Sequence, residues 1–253
     1  MSVSDEILHA IRANGYHNHR KEGHSDIVSR RILADLRSTC RTFDADIASG
    51  AIRTWEKRKG PDDRTTDLIA GPARADGLPD LSEVRLLVEN KSVVTAHRNR
   101  NARWQDIDRE RRSAHSTNPK TIVVATLIVG VCQRVLNVPD CVSKLHKQTF
   151  KTEVRPRLST GDQSLWNDFE MCVSINKPDD PAKTIAMFRQ LPVRKGSDTH
   201  LAALDFLWIA PLAIDNVNVP ALDHTMGIDA DDDYRKMIQH ICRLYTLRWH
   251  DGS

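Results

Sequence analysis

The residues with the clearest capacity for chemistry are Glu89 and Lys91, which flank Asn90 at the end of the apolar stretch 84–88. Alternate residues of a β-strand lie on one face of the sheet, so the carboxylate and the ammonium point the same way. Such a carboxylate binds a hard divalent cation, and the ammonium orients a water molecule or helps to deprotonate it. The tripeptide is short, and by itself it more often reflects a surface acid and lysine at a strand end.

A second acid, Asp67, begins the preceding apolar stretch, residues 67–71. A linker rich in Pro, Gly and Asp separates the two stretches, which predicts two antiparallel strands joined by a long turn. Pairing Asp67 with Glu89 also pairs Ala70 with Leu86 and places the turn in that linker. Cross-strand neighbours lie about 4–6 Å apart, so we expect Asp67 and Glu89 to meet across the hairpin.

Asp80 is an alternative first acid, because it directly follows Pro79 and precedes Glu89 in the chain. In the register described above, Asp80 lies in the turn at the far end of the strand. The steps from Glu83 to Glu89 alone span about 20 Å, at ~3.3 Å per residue. We therefore expect Asp67, and not Asp80, to share a site with Glu89.

The surrounding pattern predicts the elements that hold these residues. Apolar residues that recur every fourth position predict a helix from Ser25 to about Phe43. An Arg-rich segment of helical composition, residues 95–113, follows the hairpin, and the β-branched run 121–132 predicts a buried central strand. The order is helix, hairpin, helix and buried strand, while no strand is evident between Phe43 and Arg58.

This order of elements, with Asp67 in TTDLIAG and with Glu89 and Lys91 in LLVENKSV, resembles the core of the PD-(D/E)xK nuclease superfamily, the restriction-endonuclease-like fold. The resemblance covers about residues 25–132, with Thr66 in the place of the proline of the motif. It implies an α/β fold with a central mixed β-sheet flanked by helices. It also implies that Asp67 and Glu89 hold Mg²⁺, with Mn²⁺ as a substitute, and that Lys91 is catalytic.

The resemblance also suggests how the chain is organised. Residues 1–135 would form the nuclease core together with N-terminal helices. Residues 136–253 would continue the same domain or form an appended C-terminal α/β extension, and the resemblance implies no role for them.

The helix after the acid-x-Lys strand is where contacts to nucleic acid are expected, because in proteins of this family it often lies against the substrate. Residues 91–120 contain eight Lys and Arg against three acids. The arginines expected to contact phosphates, without reading sequence, are Arg98, Arg100 and Arg103. The alternative is a solvated helix whose arginines pair with its own acids, namely Arg109 and Arg112 with Asp106 and Asp108.

The function expected from these features is Mg²⁺-dependent endonucleolytic cleavage of DNA, of a restriction or other defence type, with duplex DNA as the partner. A homodimer would provide one active site for each strand of a symmetric target. Two alternatives remain open. One is a non-catalytic nucleic-acid-binding or assembly protein that keeps the nuclease fold, and the other is an RNA-directed nuclease of the same fold.

Composition limits the classes of protein that are compatible with the chain. Its net charge of +3 excludes a highly basic, histone-like protein. Five cysteines with no C-x-x-C pair argue against a disulfide framework and favour small buried side chains in a reducing compartment. The most apolar run, residues 122–132, is about half the length of a spanning helix, and no secretory signal is evident. We therefore expect a soluble cytoplasmic protein without a membrane partner.

A zinc site is a less favoured hypothesis. Its candidate ligands are His9, His17, His19 and His24. No cysteine or acid stands at zinc spacing nearby. Glu22 and Asp26 are acids that could add a ligand to the Asp67 and Glu89 site, although a helix cap or a surface charge is the commoner role.

Overall fold

The chain is represented by a computed structural model, which describes residues 1–17, 23–137, 149–196 and 201–251. Within these ranges, six strands form one sheet in the order β1-β2-β3-β4-β7-β8, and β5 pairs with β6. The strands are β1 (Arg53–Lys59), β2 (Thr65–Gly71), β3 (Leu86–Val93), β4 (Ile122–Gly130), β5 (Arg134–Leu136), β6 (Val173–Ile175), β7 (Phe206–Ala213) and β8 (Ala221–Leu222). The helices are α1 (Val3–Ala13), α2 (Gly23–Thr39), α3 (Arg41–Ser49), α4 (Arg100–Thr117), α5 (Arg155–Thr160), α6 (Leu165–Asp168), α7 (Asp180–Phe188) and α8 (Ala230–Trp249).

The sheet is mixed, with β3, β4 and β7 as parallel neighbours and antiparallel strands on both sides of them. Strand β4 consists of nine buried residues, IVVATLIVG. A strand that helices cover on both faces requires such a continuous apolar run, because neither face meets water. The prediction of a buried central strand is confirmed, and β7 joins the second half of the chain to the same sheet.

Helices cover both faces of the sheet. Helices α1, α2, α3 and α8 pack on one face, against alternate side chains such as Leu68 and Val88. Helices α4 and α7 pack on the other face, against side chains such as Leu87 and Val123. The expected α/β class, with a central mixed sheet flanked by helices, is therefore present. None of the helices in the described part of the chain has both the length and the apolar content needed to cross a bilayer.

The hairpin register predicted from the sequence is confirmed for residues 68–70 of β2, but the predicted pair Asp67–Glu89 is not part of the ladder. Strand β2 is antiparallel to β3, with Leu68 opposite Val88 and Ala70 opposite Leu86. The intervening segment contains the 3₁₀ turn Leu81–Glu83, which is capped by the side chain of Asp80. Asp80 thus lies before β3 begins, as the register requires.

The strand missing from the sequence prediction is β1, which pairs with β2 at the edge of the sheet. Its sequence, RTWEKRK, is mostly charged because an edge strand buries little of its surface. This strand completes an element order of helix, three strands, helix and strand between α3 and β4.

Two expectations from the sequence are wrong. The single helix predicted from residue 25 to residue 43 is divided at Cys40, which precedes the first turn of α3. Cys40 also forms a disulfide with Cys242 of α8, with Cα atoms 5.3 Å apart. Neither of these two cysteines is therefore the free, reduced side chain that the sequence analysis expects. An odd total does not prevent one pair, and the fold brings together residues that lie 202 positions apart.

Candidate active site

Glu89 and Lys91 lie together on the face of β3 that α4 covers. The Lys91 ammonium donates a hydrogen bond to Oε1 of Glu89. The side chains are nearly inaccessible, with 8% of Glu89 and 14% of Lys91 exposed. The sequence-based expectation that the two charges share a face is therefore confirmed.

The charge of Glu89 is incompletely compensated. Oε2 of Glu89 is buried and has no hydrogen-bond partner among the described residues. Burial raises the pKa of Glu89 to about 7; Lys91 opposes this shift, and the nearby carboxylate of Asp67 adds to it. A cation placed at this carboxylate would relieve the cost of its burial.

Asp67 is held by two donors from different elements. Its Oδ2 accepts a hydrogen bond of 2.7 Å from the backbone N–H of Asn90, and its Oδ1 accepts one of 2.9 Å from Oγ of Ser25 in α2. Burial raises the pKa of Asp67, while the Asn90 hydrogen bond and the charge of Lys91 lower it. The charge of Lys91 thus acts on both carboxylates, and the charge of Asp67 acts on Glu89. A common catalytic site of the three residues stays a prediction.

The side chain of Asp67 does not follow the regular alternation of side chains between the two faces of β2. Lys57, which follows Glu56 on the neighbouring strand, has a left-handed backbone with φ of 51°. The β1–β2 ladder is interrupted at this point, between the pairs Glu56–Leu68 and Arg58–Thr66. As a result, Thr66 contacts α4 while Asp67 contacts α2. Asp67 thus approaches the site from the α2 layer, whereas Glu89 and Lys91 approach from the α4 layer.

Glu110 is a neighbouring buried acid that the sequence reasoning missed. It lies on α4, is 3% exposed and accepts a 2.7 Å hydrogen bond from Oγ1 of Thr66. Burial raises the pKa of Glu110; the Thr66 hydrogen bond opposes this shift, and the charge of Glu89 adds to it. Asp106, one helical turn earlier, also raises the pKa of Glu89. Two acids of α4 therefore face the acid-x-Lys pair.

Gly60 allows the turn between β1 and β2 to approach these acids. A Cβ at this position would lie 2.2 Å from Oγ1 of Thr66 and 2.9 Å from Oε1 of Glu110. Any side chain here would collide with the Thr66–Glu110 hydrogen bond, so the bare backbone of Gly60 forms one wall beside Glu110.

The three arginines expected to contact nucleic acid lie at or near the start of α4. Arg98 is exposed, just before the helix. Nη1 of Arg100 lies 3.4 Å from Oδ1 of Asp180, and Nη1 of Arg103 lies 3.4 Å from Oδ2 of Asp106. The contact of Arg112 with Asp108, 2.9 Å, belongs to the alternative of a helix that pairs its own charges. Phosphate contact by these arginines stays a prediction.

The candidate ligands near the N-terminus are only partly visible. His19 and Glu22 lie outside the described residues. Asp26 forms an ion pair of 2.7 Å with Lys57. The rings of His17 and His24 have centroids 4.8 Å apart. Across the described ranges, no group of three or more His, Cys, Asp or Glu side chains is arranged to hold a metal ion.

Comparison with known proteins adds no assignment. No protein-family model, curated protein or solved structure matches this chain. The site is therefore interpreted from its own residues, of which the buried Glu89–Lys91 pair and the adjoining Glu110 are the most unusual.

Proposed function

We propose that this protein is a Mg²⁺-dependent DNA endonuclease with a site of the PD-(D/E)xK type formed by Asp67, Glu89 and Lys91. The observation that carries the proposal is the buried Oε2 of Glu89, which has no hydrogen-bond partner among the described residues although a lysine holds the other oxygen. Buried carboxylates are usually fully paired, and an incompletely paired one beside other acids is typical of a functional site.

The residues fit Mg²⁺ better than a metal that requires a complete protein cage. Mg²⁺ usually binds through one or two carboxylates and completes its shell with water and substrate phosphate oxygens. Asp67 and Glu89 would supply two such carboxylates. When bound, the metal would polarise the phosphate and lower the pKa of the attacking water.

The chain's own residues would perform the remaining tasks. Lys91 is fixed by its hydrogen bond to Glu89, so its ammonium needs little rearrangement to position a water molecule. The same ammonium would offset the negative charge that builds on the phosphoryl oxygens in the transition state. The protonated form of Glu89, favoured below its pKa of about 7, would be a poorer metal ligand.

The proposal also covers the nucleic-acid substrate, the arginines that hold it and the oligomeric state. Duplex DNA is the proposed substrate, and Arg98, Arg100 and Arg103 are proposed to hold its backbone. A homodimer would let one protomer act on each strand, which suits double-strand cutting of a symmetric site. An RNA substrate would use the same phosphodiester chemistry, so the test must include it.

The test is incubation of purified protein with duplex DNA, single-stranded DNA and RNA, with and without Mg²⁺. We expect duplex DNA to be cleaved only with Mg²⁺, and the Glu89→Gln variant to be inactive. The matched control is Glu83→Gln, which changes an exposed acid before β3. Cleavage by Glu89→Gln at the wild-type rate, or no cleavage of any substrate, would contradict the proposal.

The arrangement also favours a second candidate, a non-catalytic protein that binds nucleic acid. The relevant observation is that Lys91 already serves as the counter-ion of Glu89, so the pair has one partner without any metal. Mg²⁺ that binds only the folded state should raise the melting temperature of wild-type protein and not of Glu89→Gln. Nucleic-acid binding without such a shift would support the second candidate.

A further inference from the structure

A basic groove lies at the tip of the β1–β2 hairpin, beside the candidate active site. It is a cavity of about 520 Å³ between the end of β1, the turn that follows and the loop after β2. Four basic residues and one acid line it. They are Lys57, Arg58, Lys59 and Arg74, with Asp63.

Three of the four positive charges of the basic groove, those of Arg58, Lys59 and Arg74, are exposed to a ligand, whereas Lys57 is ion-paired with Asp26 at 2.7 Å. Nζ of Lys59 lies 2.7 Å from Asp63, but 73% and 82% of these side chains are exposed. Arg74 pairs with Asp76 in a similar surface contact. Exposed pairs of this kind contribute only about 0–1 kcal/mol, so an anion can replace the carboxylate at little cost. Arg58 is exposed, and within the described ranges it has no ion-pair partner.

The basic groove adjoins the candidate active site. Gly60 lines the groove, and its missing side chain would otherwise reach Glu110. Lys57 also lines the groove, and its charge lowers the pKa of Asp67. One wall of the groove is thus shared with the acids around Glu89, and an elongated ligand in the groove would continue towards them.

We propose that the basic groove binds the phosphates of a nucleic-acid backbone next to the phosphodiester at Glu89 and Lys91. The inference rests on the proposed function, because a nuclease site at Asp67, Glu89 and Lys91 would require a nucleic acid to lie next to it. Clustered Lys and Arg side chains neutralise successive phosphates of a backbone and release the counter-ions that these phosphates hold. The groove would therefore hold the strand in place, while Asp67, Glu89 and Lys91 act on it.

The test measures binding in EDTA, where no Mg²⁺-dependent cleavage occurs, with the full chain and fluorescent duplexes of DNA and of RNA. The variant is Arg58→Gln with Arg74→Gln. The control is Arg37→Gln with Arg243→Gln, which removes the same charge from exposed positions on α2 and α8. On duplex DNA, each lost phosphate contact reduces the steepness of the plot of log K against log salt by about 0.9. We therefore expect this slope to be reduced by about 1.8 in the groove variant and to be unchanged in the control.

Two further outcomes separate this inference from the proposed function. If wild-type protein cleaves DNA but the groove variant binds both duplexes with an unchanged slope, the groove is wrong and the nuclease stands. If wild-type protein binds without cleaving and the groove variant loses slope on either duplex, the groove stands and the nuclease fails. Lys59→Gln with Arg74→Gln, at two largely exposed side chains, repeats the test should the first variant fold poorly.

Discussion

Two buried carboxylates in this protein have opposite surroundings. Asp205, just before β7, is 1% exposed, and both of its oxygens accept hydrogen bonds. Arg248 donates to both oxygens, at 2.5 and 3.2 Å, and the backbone N–H of Val123 donates to one at 2.9 Å. Arg194 adds a second guanidinium at 3.7 Å. Two buried cations thus surround one buried anion.

Glu89 is buried to a similar degree, but it has one lysine, one oxygen without a hydrogen-bond partner in the described part of the chain, and further acids nearby. Removal of one member of a compensated group such as that of Asp205 is strongly destabilising, because the remaining charges stay buried, while a poorly compensated charge is retained at a cost. The difference supports the proposal that Glu89 binds a ligand, while Asp205 serves the structure.

The largest effect is expected at the structural carboxylate. Asp205→Ala would leave the guanidiniums of Arg194 and Arg248 buried without their anion, and we expect the free energy of unfolding to fall by about 3–5 kcal/mol. Urea denaturation measures this. Asp44→Ala, which removes an exposed partner of Arg37, should cost at most ~1 kcal/mol. If both variants lose the same free energy of unfolding, Asp205 contributes no more to stability than an exposed acid such as Asp44 does.

The second prediction concerns the turnover of a variant at Lys91, the residue that pairs with Glu89. Lys91→Ala should reduce kcat for Mg²⁺-dependent cleavage by about 10²–10³-fold, since it removes a charge that acts mainly in the transition state. Circular dichroism must confirm that the variant is folded, because the change also leaves the buried carboxylate of Glu89 without its counter-ion. Lys236→Ala, at an exposed lysine of α8, should retain full activity. A wild-type rate in Lys91→Ala would remove the main support for the nuclease.

The third prediction uses pH to reveal the uncompensated acid. The pKa of Glu89 is about 7 in the folded protein, against 4.5 for an ordinary Glu, so the folded state binds the proton more tightly. The stability that this provides is complete below about pH 4.5 and is lost as the pH rises through 7. In EDTA, wild-type protein should therefore lose roughly 2–3 kcal/mol relative to Glu89→Gln between pH 5 and pH 8.

Urea denaturation at several pH values measures this difference, and Glu83→Gln, at an exposed acid before β3, is the control. Added Mg²⁺ should restore part of the wild-type stability at pH 8, because it binds the ionised carboxylate. Parallel pH curves for wild-type protein and Glu89→Gln would show that Glu89 is as well compensated as Asp205.

The hairpin could be predicted because its signals are local. Strand side chains alternate with a period of two, and a long Pro-, Gly- and Asp-rich turn leaves one register that buries both apolar stretches. The observed pairs Leu68–Val88 and Ala70–Leu86 follow from that register. The sequence could not predict the backbone change at Lys57, which turns Asp67 towards α2, because residues of this type rarely adopt a positive φ.

The missed features depend on contacts between distant residues. Glu110 lies among arginines, which is the pattern of a solvated helix face, and only its contact with Thr66 of β2 reveals that it is buried. Strand β1 is charged because it forms the sheet edge, so its sequence lacks the alternation expected of a strand. The disulfide between Cys40 and Cys242 depends on how α8 crosses α3.

The smallest effect is expected at the arginines of α4. Arg100 and Arg103 contact carboxylates at 3.4 Å, whereas strong charge-assisted hydrogen bonds are about 2.7–2.9 Å long. Such loose pairs can exchange a carboxylate for a phosphate, so we expect Arg100→Ala with Arg103→Ala to weaken DNA binding. Each phosphate contact that is lost should lower the salt slope by about 0.9. Arg109→Ala with Arg112→Ala, further along α4, is the matched control. A slope that changes in neither variant, while it falls in the Arg58 and Arg74 variant, would assign α4 to the solvated surface and leave the basic groove as the route of the backbone.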